Sequence, residues 1–172
     1  MAIIKVGTLN PHGAPVLRRE IITNSVVSVV MDSIKIVSGF AALGTAGALV
    51  FGHLVNHKSK NDVGVLSTGV AGAEMGSYVG TYTAASNNQT VGLVDAECDI
   101  STTSLYSAEL SAAAGTTAGS NLSHYNFDLT DEDTLNEASV ITGTAQYHSH
   151  GLNPDNTAQV VVNIYESQVF GV

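Results

Sequence analysis

The chain has 172 residues, of which Ala, Gly, Ser and Thr supply 69, while only 12% are charged, against a usual share of about a quarter. Val, Ile and Thr number 46 against 13 Leu, and branching at Cβ suits a pleated, half-buried surface better than a helix. A coiled coil, a Leu-rich bundle and a collagen-like repeat are excluded, and a hydrophobic share of 44% argues against disorder. The net charge of −9 is unevenly spread. All six basic residues (Lys5, Arg18, Arg19, Lys35, Lys58, Lys60) lie in the first 60 positions beside only Glu20 and Asp32, a balance of +4, while residues 61–172 carry 13 carboxylates and no Lys or Arg. An acidic half of this kind repels nucleic acid, because duplex binding depends on cations replacing counterions at phosphates. No direct nucleic-acid partner is expected.

Taken in chain order, residues 1–20 read as an extended arm, since Pro11, Gly13 and Pro15 interrupt regular structure. An apolar strand follows from Ile21 to Val30. Ile34–Val37 and Phe40–Leu43 read as short strands, then a G-T-A-G turn leads to Leu49–Val55, where Leu49, Phe51, His53 and Val55 share one face. The uncharged run 36–57 is long enough to cross a bilayer. Its four glycines and two histidines nevertheless fit short strands around a turn, so no membrane partner is expected.

The polar stretch 57–64 marks a boundary between a basic-to-neutral β subdomain, 21–60, and an acidic one, 61–172, although the two can also form one continuous domain. Further strands are predicted at 78–82, 89–94, 105–110, 125–129, 140–147 and 159–166, with a helical turn near Asp131–Glu137 capped by Thr130. In the last strand Val160, Val162 and Ile164 face inward, and Gln159, Asn163 and Glu166 outward. The fold class is therefore all-β: a short-stranded antiparallel barrel or sandwich with an extended N-terminal arm.

The patterns G-x-S-x-G, H-E-x-x-H, G-K-[ST] and G-x-G-x-x-G are absent, so no catalytic residue and no cofactor is assigned. Cys98, set among Asp95, Glu97 and Asp99, reads as a small strand residue rather than a nucleophile. His148 and His150, two apart, could reach one metal from a strand, with Asp155 as a third ligand. The pair runs into the loop G-L-N-P-D-N-T, however, and reads as exposed loop surface, so no metal is expected there. The acidic run at 128–137 fails the EF-hand template, because counting Asp131 as position 1 puts Leu135 at position 5 and Asn136 where Gly is required. A looser Ca²⁺ or Mg²⁺ site among these carboxylates stays open. The sequons at Asn88 and Asn121 read only as surface loops.

The strand I-I-T-N-S-V-V-S-V-V, then M-D-S-I-K-I-V-S-G-F-A-A-L-G-T-A-G and V-F-G-H-L-V-N, resembles the head-decoration, or cement, proteins of tailed bacteriophages. The later V-D-A-E-C-D-I, Y-N-F-D-L-T-D and N-I-Y-E-S-Q-V-F are similar in style to their second halves. The resemblance implies a non-enzymatic structural virion protein, mostly β and often a homotrimer. Such a protein sits on the outer capsid surface and clamps neighbouring copies of the major capsid protein. The charge split then suggests docking by the basic end, through Lys5, Arg18 and Arg19 with Ile21 and Ile22 behind them. Two other classes stay open. One is a different virion or adhesion protein (tail tube, fibre or carbohydrate-binding module); the other is a small metal-dependent β-barrel enzyme using His148 and His150.

Overall fold

The computed structural model describes residues 3–9, 14–59, 81–111, 122–136 and 146–165. Thirteen strands and one short helix are found there: β1 Ile4–Thr8, β2 Leu17–Ile21, β3 Val27–Val29, β4 Ser33–Val37, β5 Phe40–Leu43, β6 Gly52–Ser59 and β7 Thr81–Thr83, then α1 Asn88–Val91, β8 Val94–Asp99, β9 Ser104–Leu110, β10 Ser123–Leu129, β11 Thr134–Asn136, β12 Tyr147–Asn153 and β13 Asn156–Ile164. The expected all-β class is what the chain adopts.

β9 organises the first sheet. One of its edges pairs with β13 and the other with β1 and then β11, and the series β9-β11-β10-β12-β13 returns to β9, which closes a five-stranded barrel. Among the described residues of this sheet, only the β9–β11 pairing is parallel. Period-2 alternation turns Tyr106 and Ala108 of β9 and Val160, Val162 and Ile164 of β13 into the barrel, in register as Ala108–Val160 and Tyr106–Val162. With Phe127, Leu129, Leu135 and Tyr147 they form a fully buried core. Burial of each large side chain contributes about 1.5–3 kcal/mol.

The second sheet, β2-β8-β6-β4-β5, is antiparallel throughout, and a parallel bridge between Ile22 and Ala41 draws its two ends together. Its own core contains Ile22, Ile34, Phe51, Leu54, Val94, Ala96 and Cys98. β3 and β7 pair as a separate ribbon that adds Tyr82 to this core.

Several expectations are corrected. The N-terminal stretch expected to be an arm supplies a strand to each sheet, because Ile3 packs in the barrel core and β2 matches β8 residue for residue; residues 10–13 lie outside the described residues. The boundary at 57–64 does not separate the sheets, since β8, from the acidic part, lies between β2 and β6. As expected, the run 36–57 folds as short strands with turns between them (β4, β5 and β6), and no helix among the described residues is long and apolar enough to cross a membrane. The strand expected at 89–94 is α1 followed by β8. Gly92 ends α1 in the left-handed conformation at φ 61°.

Asn88, read as a surface sequon, is fully buried. Its amide donates to the carbonyls of Ile22 and Val94 and accepts from the backbone N–H groups of Leu93 and Val94. The helical turn expected at 131–137 is a bend leading into β11, with residues 137–145 outside the described residues. The strand expected over 49–55 begins only at Gly52, so Leu49–Phe51 precede β6, and a bulge at Val55 then interrupts the alternation. Gln159, expected outside, is buried and accepts a hydrogen bond from Ser107. The predicted strand at 78–82, Asn121 and Glu166 lie wholly or partly outside the described residues.

At Gly52 the backbone of β6 approaches that of β8 so closely that a Cβ would sit 2.5 Å from the Asp99 carbonyl oxygen. Gly52→Ala must push two strands apart, and overpacking of this sort costs about 1–3 kcal/mol. Urea denaturation is expected to show a loss in that range with an unchanged m-value.

Candidate functional site

Where the two sheets meet, a set of polar side chains is buried. Asp99, at the end of β8, accepts from Lys5 Nζ at 2.7 Å, from Ser104 Oγ at 2.8 Å and from the Ser101 N–H at 3.0 Å. Burial alone would raise its pKa, but these three donors outweigh it and hold the carboxyl below the usual 3.8. Nearby, His53 Nδ1 lies 3.1 Å from the Met31 carbonyl, so it carries the proton, which leaves Nε2 to accept from the Tyr147 hydroxyl at 3.1 Å. Tyr147 in turn accepts from Ser33 Oγ at 2.8 Å. The Ser33–Tyr147–His53 chain has the residue types of a nucleophile and a base. All three are completely buried, so the chain joins β4 and β6 to β12 rather than meeting a substrate.

The basic residues singled out from the sequence separate. Lys5 is spent on Asp99, and Arg19 pairs with its cross-strand neighbour Glu97 at 2.9 Å, which also lies 3.6 Å from Lys58. Ile21 is half-buried, and Ile22 is a core residue, 2% exposed, which removes it from any contact surface. Arg18 alone faces an open groove of about 740 Å³, where its guanidinium stands 5.6 Å from the centre of the Phe51 ring and its Nε donates to Glu20 at 3.1 Å. Lys35, Ile36, Val37 and Leu49 also line it. Ile36, Val37 and Leu49 are 39%, 46% and 50% exposed. Sequence alternation places Leu49 and Phe51 on one face, but their meeting with Arg18 and Lys35 depends on the return of β4, β5 and the 48–51 segment alongside β2.

His148 and His150 lie on β12, not in a loop. Tyr147 and Ser149 point into the barrel while both imidazoles project outward, with ring centres 5.3 Å apart. His124 of β10, at φ 65°, brings a third ring to 5.8 Å from that of His148. Desolvation, together with His150 and His124, lowers the His148 pKa. Asp155, the third ligand considered from sequence, belongs to the turn beyond β12, where its N–H donates to Asn153. Among the described residues no three His, Cys, Asp or Glu side chains form a group that could hold a metal ion.

In the acidic run, Asp128 accepts from the N–H groups of Gly47 and Leu129, and the Glu132 carbonyl accepts from the Ser33 N–H. The run thus fastens one sheet to the other. Cys98 is fully buried, and burial, with Glu20, Glu97 and Asp99, pushes its thiol up and away from thiolate.

No family model, curated protein or solved structure matches the chain.

Three buried groups set the response to acid. Burial pushes His53 and His57 down from 6.5 to about 4. Between those values the unfolded chain takes up protons that the folded chain refuses, so stability falls as pH drops from 6.5 toward 4. Asp32 acts oppositely. Burial, reinforced by Glu132, Asp133 and Asp131 against the Val29 N–H, raises it from 3.8 to about 6, so the folded state takes its proton first. Denaturation midpoints are expected to fall from pH 6.5 to 4.5, and to fall more steeply in Asp32→Asn.

Proposed function

We propose that this chain is a structural virion protein that binds the outer surface of a bacteriophage capsid and stabilises contacts between major capsid subunits, with self-association as a homotrimer. The observation that carries the reading is the groove beside β2, where exposed Ile36, Val37 and Leu49 lie next to Arg18 and Lys35. Contiguous exposed apolar surface rimmed by polar groups marks interaction sites. The resemblance of residues 21–66 to capsid cement proteins supports the choice of partner. Capsid exteriors are often acidic, so the two cations steer encounter while the apolar side chains hold the complex, since an exposed ion pair contributes only about 0–1 kcal/mol.

Removing residues 1–19 is a poor test, because it takes away β1, the Lys5–Asp99 pair and most of β2. Substitution in the groove is cleaner. Arg18→Glu with Lys35→Glu is expected to slow binding to capsids strongly at low salt, and adding Leu49→Asp to abolish co-sedimentation, with circular dichroism unchanged. Full decoration of particles by the triple variant would overturn the docking face. An adhesion or fibre component would instead use the same groove, with Phe51 beneath Arg18, for a saccharide. Glycan binding without particle binding would select that reading.

A further inference from the structure

We infer that β2 takes up an extended segment of the capsid partner as an added strand, an assignment that rests on the groove being the docking face and says how the partner is held there. β2 is an end strand of the second sheet. It pairs with β8 from Leu17↔Asp99 to Ile21↔Asp95 without a shift in register. Beyond the two ends of this ladder the Ile22 N–H donates to the Val94 carbonyl and the Ile100 N–H to the Val16 carbonyl. Antiparallel strands exchange hydrogen bonds at every second pair, so Val16, Arg18, Glu20 and Ile22 direct their main-chain groups to β8. Leu17, Arg19 and Ile21 direct theirs to the opposite edge. β5 meets that edge only at its far end, through the Ile22–Ala41 bridge and the Thr23 N–H on the Ala41 carbonyl. Among the described residues no strand pairs with the edge at Leu17 and Arg19.

The groove adjoins this edge. β2 contributes Arg18 to its lining, the β4–β5 hairpin contributes Lys35, Ile36 and Gly39, and Leu49 and Phe51 come from the segment before β6. A Cβ at Gly39 would meet no other residue within 4 Å, so the hairpin turn leaves space beside β2. Val16, Leu17, Arg18 and Arg19 are all exposed. A segment of about five residues matches the length of β2. Side chains of an added strand alternate between the two faces of the sheet, and those on the groove side meet Ile36, Leu49 and Phe51 together with the cations of Arg18 and Lys35. Glu20 is the one carboxylate in this lining against those two cations. The complementary occupant is therefore aliphatic on its groove side, with a carboxylate among those side chains. Strand addition draws affinity from main-chain hydrogen bonds and specificity from pockets for alternate side chains. A charged edge also resists indiscriminate pairing, and two adjacent arginines penalise a cationic strand while admitting an acidic one.

Amide NMR of the full chain, titrated with the acetylated and amidated hexapeptide Thr-Val-Thr-Glu-Thr-Val, tests this. The expected result is saturable binding in which solvent exchange at the Leu17 and Arg19 amides slows about tenfold, the effect of a typical new hydrogen bond. The Arg18 and Glu20 amides, already bonded to β8, keep their protection. The same peptide with lysine in place of glutamate should bind about fivefold more weakly, and Arg18→Glu with Lys35→Glu should reverse that preference. Leu17→Pro removes an edge-facing N–H and leaves the β8 ladder whole, so it should weaken peptide binding and co-sedimentation with capsids about fivefold. No saturable binding, or binding without slowed exchange at Leu17 and Arg19, would overturn strand addition. So would unchanged capsid binding by Leu17→Pro, and if the groove variants still lose capsid binding the docking face itself stands. Peptide binding along the β2 edge by a chain that never co-sediments with capsids would uphold strand addition and remove the capsid as partner. Loss of self-association in Leu17→Pro without any peptide binding would make a second copy the occupant and overturn the proposal.

Discussion

The carboxylate of Asp99 is withdrawn from water at the junction of the two sheets, and much of the architecture is arranged to keep it there. Its side chain is completely buried, and a buried charge left without partners costs several kcal/mol. Lys5 from β1 and Ser104 from β9 come from the first sheet, whereas Asp99 ends β8 in the other. One anion therefore fixes the relative placement of both. The same residue's carbonyl limits position 52 to glycine. A few ångströms of main chain thus constrain strands β1, β6, β8 and β9 at once.

This seam also explains why so much of the charge is unavailable to partners. Lys5 and Arg19 are drawn into pairs with acids of β8, and Lys58 lies close to one of them. The split of +4 and −13 along the chain becomes interleaved in space, because antiparallel pairing sets basic β2 and acidic β8 side by side. What remains for contact is a smaller and more apolar surface: the Arg18 and Lys35 groove with three half-exposed aliphatic side chains.

Composition and β-branching made the fold class legible, and the inward series Val160, Val162, Ile164 stood out because its period is undisturbed. The errors have physical causes. The Pro-rich opening hid β1 and β2, since their stability comes from pairing with β9 and β8, about 80–100 residues away in sequence. Asn88 looked like surface because a polar side chain that replaces backbone partners for four groups cannot be told from a solvated one by its neighbours in sequence. His148 and His150 were visible as a pair. Their partners His124, Asn126 and Asn163 lie on other strands, and only the register of β10, β12 and β13 brings them together.

The central position of β9 has a consequence for synthesis on the ribosome. Its edges are occupied by residues 4–8 on one side, then 134–135, and by 159–162 on the other. Closing the ring therefore joins segments made early and late in translation, and the entropy of closing such long loops must be overcome before the contacts repay it. Until β13 emerges, β9 presents an open edge with Tyr106 and Ala108 uncovered, the kind of surface on which nascent chains associate. A chain of this design favours rapid completion of translation or the shelter of a chaperone, and truncated products ending before residue 156 are the species most exposed to aggregation.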